Sequence, residues 1–300
     1  MVFIKKVISG AKTYYYLVHS YRVNNNVRQK TIKRLSPEEA NDPNFITKFL
    51  IKNPKYQKTG IKAIIPAAGK SRRLFPYSQD LPKGLIPVGN KNILRHIIDS
   101  LQRCGITDII LITGFQGKEI RNYFEGETKI VHNPFFTVSG ILASIWFAVH
   151  EMDSPLLIIY SDLIFKETII EDLLQDKNDI SVAITTTMAD GVTEKVAIKN
   201  GYLTEIGIDV LNRPGSTDYA GIAKFSAKGA SFLRETIDEM AREEDFLNSY
   251  FTAALERLIL KGHAISVKKI SPEFWIDINT PQDLQRAERI ILPNIKAKKS

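Results

Sequence analysis

The chain of 300 residues contains a single cysteine, Cys104, so no internal disulfide can form. Cys104 falls in an apolar helical pattern that marks it as a packing residue, and a reducing, cytoplasmic setting is expected. Long hydrophobic runs are also missing: none reaches the roughly 18 residues that a membrane-spanning helix needs. The N-terminus, MVFIKKVISGAK, is broken by Lys5 and Lys6 and lacks the apolar centre of a signal peptide. The five histidines show no metal-ligand spacing, and none joins a Ser or Cys in a recognisable triad. Acidic residues are scarce at one end only. Residues 1–60 hold 12 Lys and Arg against 3 Asp and Glu, a balance of +9, which leaves −1 for the remainder. The net charge of +8 therefore belongs to the N-terminal segment.

What is present is concentrated in residues 61–88, IKAIIPAAGKSRRLFPYSQDLPKGLIPV. An apolar run, Ile61 to Ile65, feeds a loop of short side chains, Pro66-Ala67-Ala68-Gly69, followed by Lys70, Ser71, Arg72 and Arg73. Lys83 stands between Pro82 and Gly84, where a lysine has no evident packing task. Small residues let backbone N–H groups approach a phosphate, and clustered cations neutralise it. The pattern predicts a polyphosphate site at the end of a strand. The string AAGKS is not a Walker A loop, since that motif needs a glycine where Ile64 stands, and Pro66 interrupts the wrap.

Around this segment the chain alternates strand and helix patterns. Helical spacing covers Asn92–Cys104, with Gly105 as C-cap, then Lys118–Phe124, Gly140–Met152, Lys166–Leu174, two segments near 228–241 and 245–260, and Pro281–Ile291. Strands are expected at Asp108–Thr113, Leu156–Tyr160, Val182–Thr187, Lys195–Lys199, Tyr202–Ile206 and Tyr219–Phe225, with Asn200-Gly201 as a type I′ turn. This rhythm predicts an α/β, Rossmann-like mixed sheet with helices on both faces, whose ligands sit at the carboxyl ends of the strands. Residues 13–35 read as a two-stranded hairpin around Asn24-Asn25-Asn26, and Ser36-Pro37-Glu38-Glu39 as a capped helix start. The expected division is a basic hairpin and connector over 1–58, a catalytic domain over 59–293 and a basic tail over 294–300.

The motif segment resembles the nucleotidyltransferase signature, L-A-A-G-x-G-x-R-L followed by P-K-x-L, with Ser71 in place of the second glycine. A wider match is similar to the cytidylyltransferases that activate phosphocholine, 2-aminoethylphosphonate and inositol phosphate. It rests on Asn133 to Ser144, where Gly140 replaces the usual asparagine, and on Tyr160-Ser161-Asp162-Leu163-Ile164-Phe165. It continues through Lys195-Val196, Ile206-Gly207 and Tyr219–Ala223, and ends at Trp275-Ile276-Asp277-Ile278-Asn279-Thr280-Pro281-Gln282-Asp283-Leu284, where Asn279 replaces a second acid. The resemblance implies that Arg73 and Lys83 contact nucleotide phosphates and the departing pyrophosphate. It also implies nucleotide contacts from Pro66, Ala67, Ala68, Gly69, Lys70, Ser71, Ser139 and Ser161. Asp162 and Asp277, each at the polar end of an apolar run, are the expected Mg²⁺ ligands, and Asp283 an N-terminal helix charge. Lys195 is expected to reach an acceptor phosphate. Phe135, Phe136, Trp146, Phe274 and Trp275 could wall an amine, although core packing suits each of them better.

The expected activity is Mg²⁺-dependent transfer of a nucleotidyl group, with CTP favoured, to a small phosphorylated or phosphonylated alcohol or amine. The alternatives are a sugar-1-phosphate nucleotidyltransferase and a nucleic-acid-binding protein with an inactive transferase domain. The N-terminal hairpin resembles that of some insertion-sequence transposases. Packing on the catalytic domain, or on another subunit of a homo-oligomer, is the expected role, with nucleic-acid contact as the lesser alternative, because a two-stranded hairpin needs a surface to lean on.

Overall fold

The computed structural model describes residues 2–10, 12–23, 26–52, 59–186, 194–208, 210 and 216–296. The expected turn at Asn24-Asn25, the connector over 53–58 and the tail residues 297–300 lie outside them, as does the side chain of Arg72.

The N-terminal unit has three strands where the sequence predicted two: β1 (Val2–Ser9), β2 (Lys12–Val23) and β3 (Asn26–Leu35), antiparallel in that order. The extra strand pairs along its whole length, Val2 opposite His19 and Ser9 opposite Lys12, and Gly10 turns the chain at φ +60°. Two helices follow, α1 (Pro37–Asn41) and α2 (Phe45–Lys52). The start of α1 is the expected capping box, with Ser36 Oγ accepting from Glu39 N and Glu39 Oε2 from Ser36 N.

The rest of the chain supplies β4 (Lys62–Ala67), the short pair β5 (Pro87–Val88) and β6 (Lys91–Asn92), α3 (Ile93–Arg103), β7 (Asp108–Thr113), α4 (Gly117–Phe124), β8 (Lys129–His132) and α5 (Ile141–Trp146). Then come β9 (Leu156–Ile159), β10 (Leu163–Phe165), α6 (Thr168–Gln175), β11 (Ile180–Thr185), β12 (Lys195–Lys199), β13 (Tyr202–Gly207), β14 (Thr217–Phe225), α7 (Ala227–Met240), α8 (Phe251–Leu260), β15 (Ile265–Ile270) and β16 (Trp275–Asp277). A last helical stretch runs from α9 (Pro281–Arg286) through a wider turn into α10 (Leu292–Lys296). Helix α5 is shorter than its apolar pattern, stopping at Trp146 before a single 3₁₀ turn at Val149–Glu151.

Nine strands form one mixed sheet in the order β11-β15-β13-β12-β14-β9-β4-β7-β8. Strands β9, β4, β7 and β8 are parallel, and β14 runs antiparallel beside β9. Successive residues of β4 go to opposite faces, as strand geometry requires. Ala63 and Ile65 join a core with α3 and α6, whereas Ile64 joins a second core with α5, α7 and α8. Both isoleucines are fully buried, each stabilising the fold by about 1.5–3 kcal/mol. Asn200 and Gly201 take φ +54° and +83°, as the type I′ turn between β12 and β13 requires.

Chain order reverses between β4 and β9. From β4 the chain moves outward to β7 and β8, then returns to β9 on the other side. The crevice at the carboxyl ends of these two strands is the topological switch point, the usual binding place on such sheets.

Candidate active site

The loop leaving β4 is held by backbone contacts. Ala68 O accepts from Phe115 N at 3.0 Å. A Cβ at Gly114 would come within 2.4 Å of Phe136 Cβ and 2.7 Å of Ala68 O, so glycine is required there. Ser71, where the signature has glycine, takes φ +48°, a left-handed conformation that glycine adopts without strain. Its carbonyl accepts from Ser78 Oγ at 2.8 Å. One-turn helices then present Arg73 and Lys83, the first anchored by fully buried Leu74.

An open cavity of about 850 Å³ lies at the switch point. Of the residues singled out from the sequence, Pro66, Ala67, Ala68, Gly69, Ser71, Arg73, Lys83, Ser139, Ser161, Asp162 and Asp277 line it. Lys70 does not: it is exposed, its ammonium 5.8 Å and 5.9 Å from the rings of Phe115 and Phe136. Ser139 is set in place by wholly buried Asn133, whose Nδ2 donates to it at 2.9 Å and to Ser144 Oγ at 3.0 Å.

The two aspartates meet because β10 and β16 pair antiparallel, Leu163 opposite Asp277. Ile278 N donates to Asp162 O at 2.9 Å across the same junction. Lys83 is buried, contrary to its featureless look in the sequence, and its ammonium lies 2.6 Å from Asp162 Oδ2 and 3.0 Å from Asn279 Oδ1. Arg73 Nη2 donates to that same Asn279 oxygen at 2.9 Å, and Asn279 Nδ2 donates to Asp277 Oδ2. Asn279 thus ties the cationic loop to the aspartates, while Asp283 caps α9 through Thr280 rather than joining them.

The remaining oxygens, Asp162 Oδ1 and Asp277 Oδ1, are buried without a hydrogen-bond partner. Burial, reinforced by the charge of Asp162, pushes the Asp277 carboxyl up to about 8. Two orphaned carboxylate oxygens with this electrostatic cost fit a hard cation such as Mg²⁺. Among the described residues no third His, Cys, Asp or Glu joins them, which suits an ion that usually keeps waters and phosphate oxygens as its other ligands.

The far end of the cavity corrects one expectation. Lys195 does not line it: the ammonium is buried 3.1 Å from Asp218 Oδ1, which neutralises it. Asp218, its cross-strand partner on β14, does line the cavity, as does Glu194, next to Lys195 in the chain. Glu194 Oε1 accepts from Tyr160 Oη at 3.1 Å and Thr252 Oγ1 at 2.8 Å. Burial raises the Glu194 carboxyl pKa against the pull of these two donors. Tyr160 and Tyr219 meet edge to face at 5.7 Å, and Trp275 is fixed by Nε1 donating to Ala220 O at 3.0 Å. Of the aromatics considered from sequence, Phe136 and Trp275 line the cavity; Phe135, Trp146 and Phe274 do not. Tyr160 and Tyr219 stood in resembling segments without an assigned role, and Glu194 carried no local signal beyond adjacency to Lys195.

Residues 63–207 match the MobA-like NTP transferase domain, and residues 4–57 match the N-terminal domain of IS1634 family transposases. The chain is 26% identical to a CTP:phosphoglutamine cytidylyltransferase of Campylobacter jejuni, over 75% of its length and 98% of the relative's. It is 30% identical to the bifunctional protein GlmU of Methanococcus maripaludis over 79% of its length, spanning 56% of that longer protein. The fold is shared with the CTP:phosphocholine cytidylyltransferase of Streptococcus pneumoniae, with a TM-score of 0.67 and 22% identity over 76% of this chain and 97% of that one.

Proposed function

For a transferase that carries a MobA-like NTP transferase domain, we propose the reaction of a magnesium-dependent cytidylyltransferase acting on a small phosphorylated or phosphonylated alcohol or amine. An oxygen of the acceptor phosphate or phosphonate attacks the α-phosphorus of CTP. The bond to the bridging oxygen breaks, and pyrophosphate leaves with the electron pair. Both reactants are anions, so catalysis is chiefly positioning and charge neutralisation. Arg73 and Lys83 neutralise the triphosphate and the leaving group, and the small residues from Pro66 to Ser71 let the backbone approach it. Asp162 and Asp277 would hold Mg²⁺, which supplies Lewis-acid neutralisation of the phosphate oxygens when bound.

One observation carries the reading: Lys83 sits between Asp162 and Asn279, so the cationic loop and the aspartate pair converge on one end of the cavity. The acceptor follows from the other end. A carboxylate beside Tyr160, with Tyr219 and Trp275 nearby, suits a cationic group on the acceptor. The match to GlmU makes a hexose 1-phosphate the competing acceptor.

The test is pyrophosphate release in a screen crossing the four common nucleoside triphosphates with choline phosphate, aminoethylphosphonate, inositol phosphate and hexose 1-phosphates. The expected result is turnover with CTP and an amine-bearing acceptor, abolished by chelation. Turnover only with a hexose 1-phosphate would replace the acceptor assignment. Full activity in Asp162→Asn or Asp277→Asn would remove the metal site.

A further inference from the structure

A two-stranded hairpin would have to lean on something, but the N-terminal unit has a third strand and a helix pair of its own. Strand register sorts its side chains onto two faces. Ile4, Leu17, Lys33 and Leu35 share one face, with Leu17 wholly buried and Leu35 4% exposed. The helices fold back toward that face: Lys33 Nζ lies 2.7 Å from Glu39 of α1 and 5.3 Å from the ring centroid of Phe45 in α2. Phe3, Lys5, Val7, Tyr14, Tyr16, Val18, Gln29, Thr31 and Arg34 occupy the other face by the same register. Lys5 donates to Gln29 at 3.2 Å, a bond that crosses β2 over Val18, the buried residue of this face. The Arg34 guanidinium stacks 4.5 Å from the ring centroid of Tyr14. Lys5, Gln29, Thr31 and Arg34 are exposed.

We propose that this face, from which Lys5, Gln29, Thr31 and Arg34 reach solvent, binds duplex DNA, with the three strands lying in the major groove. The charge balance of +9 in residues 1–60 supplies the attraction to a phosphate backbone, and the nearly neutral remainder of the chain does not. Three strands about 4.8 Å apart make a ribbon about 10 Å wide between outer axes. That is comparable with the B-DNA major groove of about 12 Å, into which β-ribbons and sheets are known to fit. The major groove of A-form RNA is too narrow for the same approach. A cation from each edge strand, Lys5 and Arg34, flanks the tyrosines of the central strand, and Gln29 and Thr31 lie on the same edge strand as Arg34. Lys5 and Arg34 can therefore hold phosphates on either side while the tyrosines of the central strand, with Gln29 and Thr31 beside them, meet base edges.

The test is fluorescence anisotropy of the full chain with a random-sequence DNA duplex of about 20 base pairs, titrated between about 50 and 200 mM salt. Binding is expected in the micromolar range at low salt and should weaken steeply as salt rises, since each neutralised phosphate releases a counterion. The double variant Lys5→Ala/Arg34→Ala should lose roughly tenfold in affinity and reduce the salt slope by about two. Lys6→Ala/Lys30→Ala removes the same charge from the helix-covered face and should lose less than about threefold, with its slope nearly unchanged. All four side chains are exposed, so melting temperatures should stay close to wild type, and pyrophosphate release should not change. No binding by the wild type at about 50 mM salt, equal losses in the two double variants, or tighter binding of duplex RNA would each overturn the proposal.

Discussion

Lys83 answers two demands at once. Its ammonium neutralises Asp162, and through Asn279 it shares an acceptor with Arg73. Lys83→Ala should therefore cost about 10²–10³ in kcat, the usual loss for one preorganised charge at such a site. It should also destabilise the metal-free protein by about 1–3 kcal/mol, because Asp162 and Asp277 are left facing each other without their cation. Thermal melting with and without Mg²⁺ checks this: added metal should recover much of the lost stability and little of the lost rate. A variant with unchanged metal-free melting would show that Lys83 is not holding the aspartates.

Glu194 gives a second expectation at this scale, and its sign can be worked out. Burial raises its folded pKa above the ordinary value near 4.5. Its contribution to stability is complete below that value and is lost as pH rises through the elevated one. Glu194→Gln removes this loss, so the variant should gain on the wild type as pH rises above about 4.5. The same change should raise KM for an amine-bearing acceptor much more than KM for CTP. Melting curves across pH, paired with initial rates, test the two halves separately. A stability difference that fails to shift in the variant's favour as pH rises would contradict the assigned burial cost.

Elements show where the sequence was legible and where it was not. The loop after β4 announced itself because its pattern is local, small residues followed by cations. Asp162 and Asp277 were visible as polar ends of apolar runs, although their meeting depends on β10 and β16 pairing across more than a hundred residues. Lys195 was expected at an acceptor phosphate, but no local pattern announces that Asp218, its cross-strand partner on β14, takes up its charge. Strand β1 was missed because Lys5 and Lys6 interrupt its alternation, leaving neither face uniformly apolar. Gly140 illustrates a departure that only the fold explains. The signature has asparagine there, but Gly140 N donates to Leu247 O at 2.6 Å, and a Cβ would lie 2.9 Å from Ser249 O. The turn at Glu244–Asn248 occupies the room a side chain would need. Gly140→Asn, though it would restore the residue of the resembled segment, should cost about 1–3 kcal/mol by overpacking, read as a lower melting temperature. A neutral or stabilising effect would show that this turn is free to move.

At the scale of the whole molecule, charge and chemistry are divided along the chain. All cavity-lining residues lie between Pro66 and Arg286, and the excess positive charge lies before residue 61. The nine strands of the main sheet all lie from β4 onward, while the N-terminal three form a sheet of their own. Its largest buried apolar residues, Leu17, Val18 and Leu35, belong to neither of the two cores beneath and above the main sheet. Removing residues 1–58 should therefore leave both cores and the cavity intact. Pyrophosphate release on small substrates should persist within about twofold, because no group that positions or neutralises the reactants is lost. The truncated protein should also melt cooperatively, with DNA binding abolished if the N-terminal sheet is the binding element. Loss of folding on truncation would show that the small sheet completes the catalytic domain. Retained folding with lost turnover would instead place part of the N-terminal unit over the cavity, a role in catalysis that its separate sheet and separate core argue against.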